Sequence, residues 1–550
     1  MHSSSSTMFS RTPWSIQSML VLAFVFLWYP ASLESAQVFR SDDPVSIDRD
    51  NLPVSMVVRR KINDYDDFLE NTFFKVGERK KQRAVNINTL GEVPNSSWFT
   101  NRIGAGVISP EQLVQGANRG EGPAPGKLTV IGGKTQGVTP GFTIKDSLGD
   151  TYFLKFDPAT NPQMATSAEM ISSKFFDALG YNVPEYYLIN FNPSDLEIPP
   201  GATIRNELDD RIPLTKKFVD KLVSKVAHNE DGSIRAIASK LIPGSNVGPF
   251  KFYSTRGDDP NDIFPHEHRR ELRGYYIFCS WLNHDDSRSV NTADFYVGSN
   301  GQGSVKHYLI DFGSTLGSGS LTAQKLRPGN ENIFEARPTF ARMFSFGIWL
   351  PSWVSVGFPD FPTIGRIEAD FFQPDRWKPE YPNPAFQNMD AEDAFWATRL
   401  VLMFRDQDIR SMATAGRISN KVAEEYLVST LIKRRDKVGN YWLRQVSPLD
   451  GFRVVDGELM FEDLLVKYGF DKEMRQYNAS FASFDNKTGA KANVGTGSAN
   501  RQGRLPLPAM IATAAENSFH VVTLTADSHA VDVFLKSVSG TQRIVGIQRK

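Results

Sequence analysis

Two periodicities alternate along the chain and divide it before any residue type is considered. From position 127, apolar and polar residues take turns over 127–131, 141–145 and 151–156. Successive strand side chains point to opposite faces, so this spacing predicts three half-buried strands. Asp146-Ser147-Leu148-Gly149-Asp150, between the last two, supplies the turn residues of a hairpin. The period then changes. Met170, Phe175, Phe176 and Leu179 recur near helical spacing, which predicts a helix over 165–179 with Gly180 as its C-cap. Strand-like runs return at 186–191 and 234–241, and a charged helix candidate at 214–227 lies between them as an insertion.

Between about 262 and 450 the pattern is mainly helical, with helices predicted over 267–282, 391–405, 420–433 and 437–445. Inside it, 315–388 is irregular and rich in Pro, Gly and aromatics. From Phe452 alternation resumes, clearest at 520–525, 530–535 and 543–547. These shifts predict a polar N-terminal extension over 37–126, with one helix candidate at 64–81 and a closing Gly120-Glu121-Gly122-Pro123-Ala124-Pro125-Gly126 punctuation. A small β-rich lobe over 127–250, a helical lobe over 251–450 with an aromatic insertion at 315–388, and a β-rich C-terminal domain over 451–550 follow. No internal repeat is found. The length of 550 residues agrees with roughly three or four units of ordinary size.

The N-terminus adds a topological signal. Arg11 is the only Lys or Arg before an apolar core from Met19 to Tyr29, and Pro30-Ala31-Ser32-Leu33-Glu34-Ser35-Ala36 follows. That pattern predicts a secretory signal peptide over 1–36. Its strictly apolar part is short for a spanning helix, although the uncharged window 12–33 permits an uncleaved anchor. An exported chain of this length with a single cysteine, hence no intramolecular disulfide, points to a bacterium: its periplasm, its cell envelope or the outside of the cell.

Composition changes the picture mainly by exclusion. With 40% hydrophobic and 23% charged residues the chain is of ordinary globular type. Its 62 basic and 62 acidic side chains leave no global electrostatic case for nucleic acid, and none is expected as a partner. Cys279 alone cannot build a multi-cysteine metal site, and within Tyr275-Tyr276-Ile277-Phe278-Cys279-Ser280-Trp281-Leu282 it reads as a small buried hydrophobe.

Phosphoryl transfer from a nucleotide needs a cation on the phosphates, a partner that holds it, a base or aligner near the acceptor, and oxygen ligands for magnesium. Each part has a candidate in chain order. Lys155 lies in the second hairpin strand, Tyr152-Phe153-Leu154-Lys155-Phe156, and Glu169 in the following helix is placed to pair with it. His284-Asp285-Asp286-Ser287-Arg288-Ser289-Val290-Asn291 follows the helix ending near Leu282, and His307-Tyr308-Leu309-Ile310-Asp311-Phe312-Gly313 comes next.

This order and spacing resembles the protein-kinase-like superfamily. The doubled Asp285-Asp286 and the signal peptide are similar to its atypical bacterial branch, the HipA-like and spore-coat CotH-like kinases. The resemblance covers about 127–450 and implies an α+β fold with a two-lobed kinase-like core. It implies Lys155 and Glu169 as the phosphate-setting pair, Asp286 as base or substrate aligner, Arg288 as a phosphate-facing basic residue, and Asn291 with Asp311 as magnesium ligands. ATP or another nucleotide and Mg are the implied cofactors, and the acceptor, a protein, a glycan or a small molecule, is left open. Nucleotidyl transfer on the same parts stays open too, as does a non-catalytic, pseudokinase-like envelope scaffold. The chain departs from the family pattern at the glycine loop. Gly132-Gly133-Lys134-Thr135-Gln136-Gly137-Val138-Thr139-Pro140-Gly141 offers backbone donors, with Gly133 and Gly137 as nucleotide-contacting candidates, but not Gly-x-Gly-x-x-Gly. No Ala-Pro-Glu equivalent follows Gly313.

Other motifs fail on spacing. Gly133-Lys134-Thr135 imitates the end of a P-loop, but Leu128 stands where its first glycine belongs. His266-Glu267-His268 has Arg270 where a second zinc-binding histidine would stand, so both histidines are expected at an exposed helix start. The uncharged stretch 343–359 holds Phe344, Phe346, Trp349, Trp353 and Phe358 and is expected to be a buried insertion, with a membrane- or partner-facing surface as the alternative. Trp98 is expected to anchor the extension onto the core.

Overall fold

The computed structural model describes residues 38–74, 82–134, 141–205, 210–299 and 302–550. The signal-peptide reading of 1–36 therefore lies outside the described residues, as do 75–81 of the first helix candidate and Gly137. The extension contributes two short helices, α1 (Asp64–Leu69), which runs into a π turn at Glu70–Phe74, and α2 (Pro110–Gln115). A reciprocal capping box of Ser109 and Gln112 starts α2, satisfying backbone donors that a helix start leaves open.

The strands that follow are β1 (Leu128–Lys134), β2 (Gly141–Lys145) and β3 (Thr151–Phe156), then helix α3 (Met164–Ala178) and strand β4 (Tyr186–Phe191). Short strands β5 (Leu196–Glu197), β6 (Thr203–Arg205) and β7 (Arg211–Pro213) lead to helix α4 (Lys216–Val223) and strand β8 (Ile234–Lys240). Six of these strands form one sheet in the order β4-β8-β3-β2-β1-β5. Its one face buries Val130, Ile144, Tyr152, Leu154 and Phe156 with Val219 of α4. On the other side lies α3, every residue of which is buried, so it is a core helix rather than an amphipathic surface one.

After β9 (Ser245–Asn246) comes α5 (Arg270–Leu282), buried along its whole length, and then the antiparallel pair β10 (Thr292–Ser299) and β11 (Gln302–Leu309). Helices α6 (Ala336–Phe344), α7 (Pro384–Gln387), α8 (Ala391–Leu402), α9 (Asp406–Thr414) and α10 (Lys421–Trp442) complete this part. One apolar core joins α3, α5, α8 and α10 with Trp98 and Phe99 of the extension. Strands β12 (Leu449–Val455) and β13 (Glu458–Asp463), with β16 (Arg504–Pro506), make a small sheet, and α11 (Leu464–Lys467) follows β13. A second sheet, in the order β15-β14-β17-β18-β19, is made of β14 (Asn478–Phe484), β15 (Lys491–Ser498), β17 (Phe519–Ala526), β18 (His529–Val538) and β19 (Thr541–Arg549), with α12 (Ala509–Ala512) before β17. Among the described residues no helix is long and apolar enough to cross a membrane.

Three expectations are corrected. The break expected between 433 and 437 is absent, and α10 runs through it. Arg434, in the charged run that suggested the break, turns inward. It donates to the carbonyls of Trp281 (2.8 Å) and Glu368 (2.7 Å) and lies 3.6 Å from the Phe372 ring centroid. His266 and His268 are buried rather than exposed, because Asp262 meets His266 Nε2 at 2.7 Å and Arg273 bonds His268. The stretch 343–359 is not a buried insertion: Phe344 is 74% and Phe346 94% exposed. Trp98 is buried as expected, its ring stacked on His307 at 3.5 Å.

Candidate active site

Strand alternation places Lys155. Tyr152, Leu154 and Phe156 fill the sheet's apolar face, so Lys155 is directed to the side where α3 lies. Its ammonium donates to both oxygens of Glu169 (2.9 and 3.0 Å) and to Asp311 Oδ1 (2.8 Å). Burial opposes the charge on Lys155, but Asp311 and Glu169 outweigh it and hold the ammonium above the ordinary lysine range. Burial raises the Glu169 carboxyl, and Lys155 pulls it back. The buried Tyr186 hydroxyl, from β4, bonds the Glu169 side chain and the Asp311 backbone, and burial followed by those two carboxylates drives its pKa well up. Gly313 has a local reason to be glycine, since a Cβ there would stand 3.2 Å from Glu169 Oε2.

The loop after α5 forms the other half. Asn283 ends α5 in the left-handed region (φ 51°) and turns the chain. His284 is packed among Phe176, Tyr275 and Phe312, and burial lowers its pKa to about 3, so the imidazole is neutral. Asp285 is also buried; Gln324 Nε2 donates to it at 2.5 Å, and its carbonyl accepts from the Glu380 amide at 2.8 Å. Burial, then the charges of Asp286 and Glu380, push its carboxyl up to about 8. Asp286 keeps 17% of its side chain exposed. Burial pushes it up to about 7 against the pull of Arg288. The Asn291 amide donates to the Asp286 carbonyl (2.7 Å), and the Ile310 amide donates to the Asn291 carbonyl (3.0 Å), tying the loop to the segment that carries Asp311. Asp311 itself is held at φ 62°, a conformation uncommon for a non-glycine residue and one that often accompanies function.

The geometry therefore gathers Lys155, Glu169 and Asp311 directly, and Asp286, Arg288 and Asn291 on one loop. The Asp311 charge acts on both Asp286 and His284, so the two groups share one field. Gly133 is not among them. It lies inside β1, and a Cβ there would meet Phe218 and Ile204 of the insertion side. Arg288 differs from a phosphate-facing cation, because Asp286, Asp64 (2.9 Å) and Glu380 (3.2 Å) already surround it. Sequence reasoning missed Tyr186, Gln324, Glu380 and Asp64. Tyr186 stands on a predicted strand and Asp64 at the start of a predicted helix; Gln324 and Glu380 come from the aromatic insertion, where no spacing announces them.

The donor set suits a magnesium ion. Magnesium takes oxygen ligands and few of them from protein. Asp311 offers a carboxylate 35% exposed, and Asn291, whose amide nitrogen is spent on Asp286, has its carbonyl oxygen left for a metal.

No family model matches the chain, and no curated protein matches it. Among solved structures it is similar to a Helicobacter pylori proinflammatory kinase, CtkA, at 11% sequence identity and TM-score 0.28, covering 55% of this chain and 94% of that one. It is also similar to the Golgi casein kinase at 9% identity and TM-score 0.30, covering 73% of this chain and 95% of that one. Similarities this slight carry no weight of their own, and the side chains make the functional case.

Proposed function

We propose that the chain is an exported, kinase-like phosphotransferase that uses a nucleotide and magnesium. The observation that carries this reading is the Lys155 ammonium held between Glu169 and Asp311, with Asp286 presented on a loop that Asn291 ties to the Asp311 segment. Lys155, fixed by Glu169, sets the nucleotide phosphates. The metal, held by Asp311 and Asn291, would neutralise charge on the transferred phosphoryl group. Asp286, with its carboxyl near neutrality, accepts the proton of the acceptor hydroxyl, a task that favours a pKa close to the working pH. Neutral His284 braces the loop against Phe176 and Phe312 and takes no proton.

A non-catalytic scaffold is the second reading, and one observation favours it: Arg288 is enclosed by three carboxylates and has no evident charge to offer a phosphate. Thermal melting of residues 37–550 with ATP and magnesium separates the two. A ligand that binds only the folded state stabilises it by about 2.7 kcal/mol at a hundredfold excess over its dissociation constant. The parent is expected to shift, and Lys155→Ala and Asp311→Ala are not. If residues 37–550 show no shift with any nucleotide, the enzymatic reading is overturned. Export is checked by cell fractionation, in which a purely cytoplasmic chain would reject it.

A further inference from the structure

At the C-terminal end of α3 lies a cleft of about 990 Å³, much larger than the small cavity beside Lys155. The loop after α2, the last turn of α3, the chain after β8 and the β10–β11 pair enclose it. Its charges do not balance. Arg102, Arg119 and Lys306 line it, and Lys174 is buried just beneath the wall at Gln115 and Gly116, against the two carboxylates Asp177 and Glu185.

Both carboxylates are already engaged. Asp177 lies 3.6 Å from Arg102, whose guanidinium also donates to the carbonyls of Asp177 (2.7 Å) and Tyr181 (3.1 Å) and is thereby fixed. Glu185 accepts from the Arg119 backbone amide (2.9 Å) and the Tyr187 hydroxyl (2.5 Å). Lys240, at the rim, is paired with Asp150 at 2.7 Å. Among the described residues the Arg119 guanidinium and the Lys306 ammonium meet no carboxylate within ion-pair distance; Lys306 has the Tyr308 ring 5.7 Å away and the longer-range attraction of Asp177. Burial, then repulsion from Arg102 and Arg119, draws Lys306 below the ordinary lysine range. Mutual repulsion of cations around an open cleft is relieved by an anion. Val107, Ile108 and Val297 give the same cleft an apolar side.

We propose that this cleft is a second ligand site, separate from the one at Lys155, which takes a small phosphate-bearing molecule. Arg119 and Lys306 hold the phosphate, the fixed Arg102 guanidinium adds charge behind it, and the uncharged body of the ligand rests on the apolar side. The proposal does not depend on phosphotransfer at Lys155.

Inorganic pyrophosphate is the probe, titrated calorimetrically into residues 37–550 at constant ionic strength, with citrate as a carboxylate control. Pyrophosphate is expected to bind, with Arg119→Ala and Lys306→Met each weakening it at least tenfold and Lys155→Met leaving a binding event in place. Citrate is expected to bind at least tenfold more weakly. A second readout needs no ligand: Lys306→Met removes a repelled cation and should raise the melting temperature of the free protein. Absence of pyrophosphate binding, binding lost only in Lys155→Met, or binding indifferent to Arg119 and Lys306 would each overturn the proposal. Citrate binding as tightly as pyrophosphate would overturn the assignment to phosphate.

Discussion

The two halves of the candidate site solve the same problem, how to keep charge out of water, in opposite ways. Around Lys155 one ammonium sits between two carboxylates from a strand, a helix and a loop, and each group is the other's partner. On the 284–291 loop the carboxylates outnumber their cation. Asp286, Glu380 and Asp64 converge on Arg288 while Asp285 is buried beside Asp286, and these two neighbours respond by holding protons near neutral pH. The first half is a locked device suited to positioning; the second is poised to exchange a proton. Catalytic sites often hold titratable groups whose environments push them apart in this manner.

The largest expected effect breaks the locked half. Lys155→Met leaves Glu169 buried without its ammonium, and removing one member of a buried ion pair costs about 3–5 kcal/mol. Urea denaturation should show a loss of this order. A loss under about 1 kcal/mol would mean that Glu169 is protonated in the parent and that the pair contributes little.

This half was also the more legible. The bounds of β2, β3 and β4 coincide with those expected from alternation, because each strand has one face on the apolar core and the pattern of burial is local. Helix α3 was found from a single apolar stripe, although packing buries all of it. What pattern reading missed was charge buried by distant partners. His266 looks like a surface residue beside Glu267, yet Asp262 and the ring of Trp98 at 4.5 Å enclose it. Arg269 is buried because Asp48, far away in the extension, reaches it at 2.7 Å. In the loop half, Gln324 and Glu380 come from the irregular 315–388 insertion, whose lack of periodicity hid which residues turn back toward Asp285. The same lack of pattern misled the reading of 343–359, where an uncharged, aromatic run was taken for core and is instead solvent-facing.

A smaller effect sharpens the poised half. Asp285 holds its proton in the folded state up to about pH 8 but releases it in the unfolded chain near the ordinary carboxylate value. Between those limits the native state binds more protons, so this group's contribution is full at low pH and is lost as pH rises toward 8. The slope it can impose is at most about 1.4 kcal/mol per pH unit. Asp285→Asn, which keeps an uncharged acceptor for Gln324, should flatten the fall in stability between pH 5 and 8. Denaturation midpoints measured across that range that fall as steeply as the parent's would remove Asp285 from the account.

Asp286 gives a shift rather than a loss. Its carboxylate form grows as pH rises through about 7, and Arg288 is the group that pulls it down. Arg288→Ala should move the titration of the Asp286 carboxyl upward, read by carbon NMR of aspartate-labelled protein. An unchanged or lowered midpoint would mean that Arg288 does not pull it down.

The smallest expected effect tests whether the extension takes part in the poised half at all. Asp64 is 57% exposed, and an exposed ion pair contributes about 0–1 kcal/mol, so Asp64→Ala should scarcely change stability. Its neighbour Asp67 is different. That side chain is buried, accepts from Tyr381 at 2.6 Å and from Ser289 at 3.1 Å, and so pins α1 to the loop whether or not Asp64 is present. With α1 still docked, the loss of Asp64 removes only one of the carboxylates around Arg288 and leaves that guanidinium more fully committed to Asp286. The Asp286 titration should therefore move slightly downward, opposite in sign to the Arg288→Ala shift. A move in the same direction would show that Asp64 acts by positioning the loop rather than by competing for its cation.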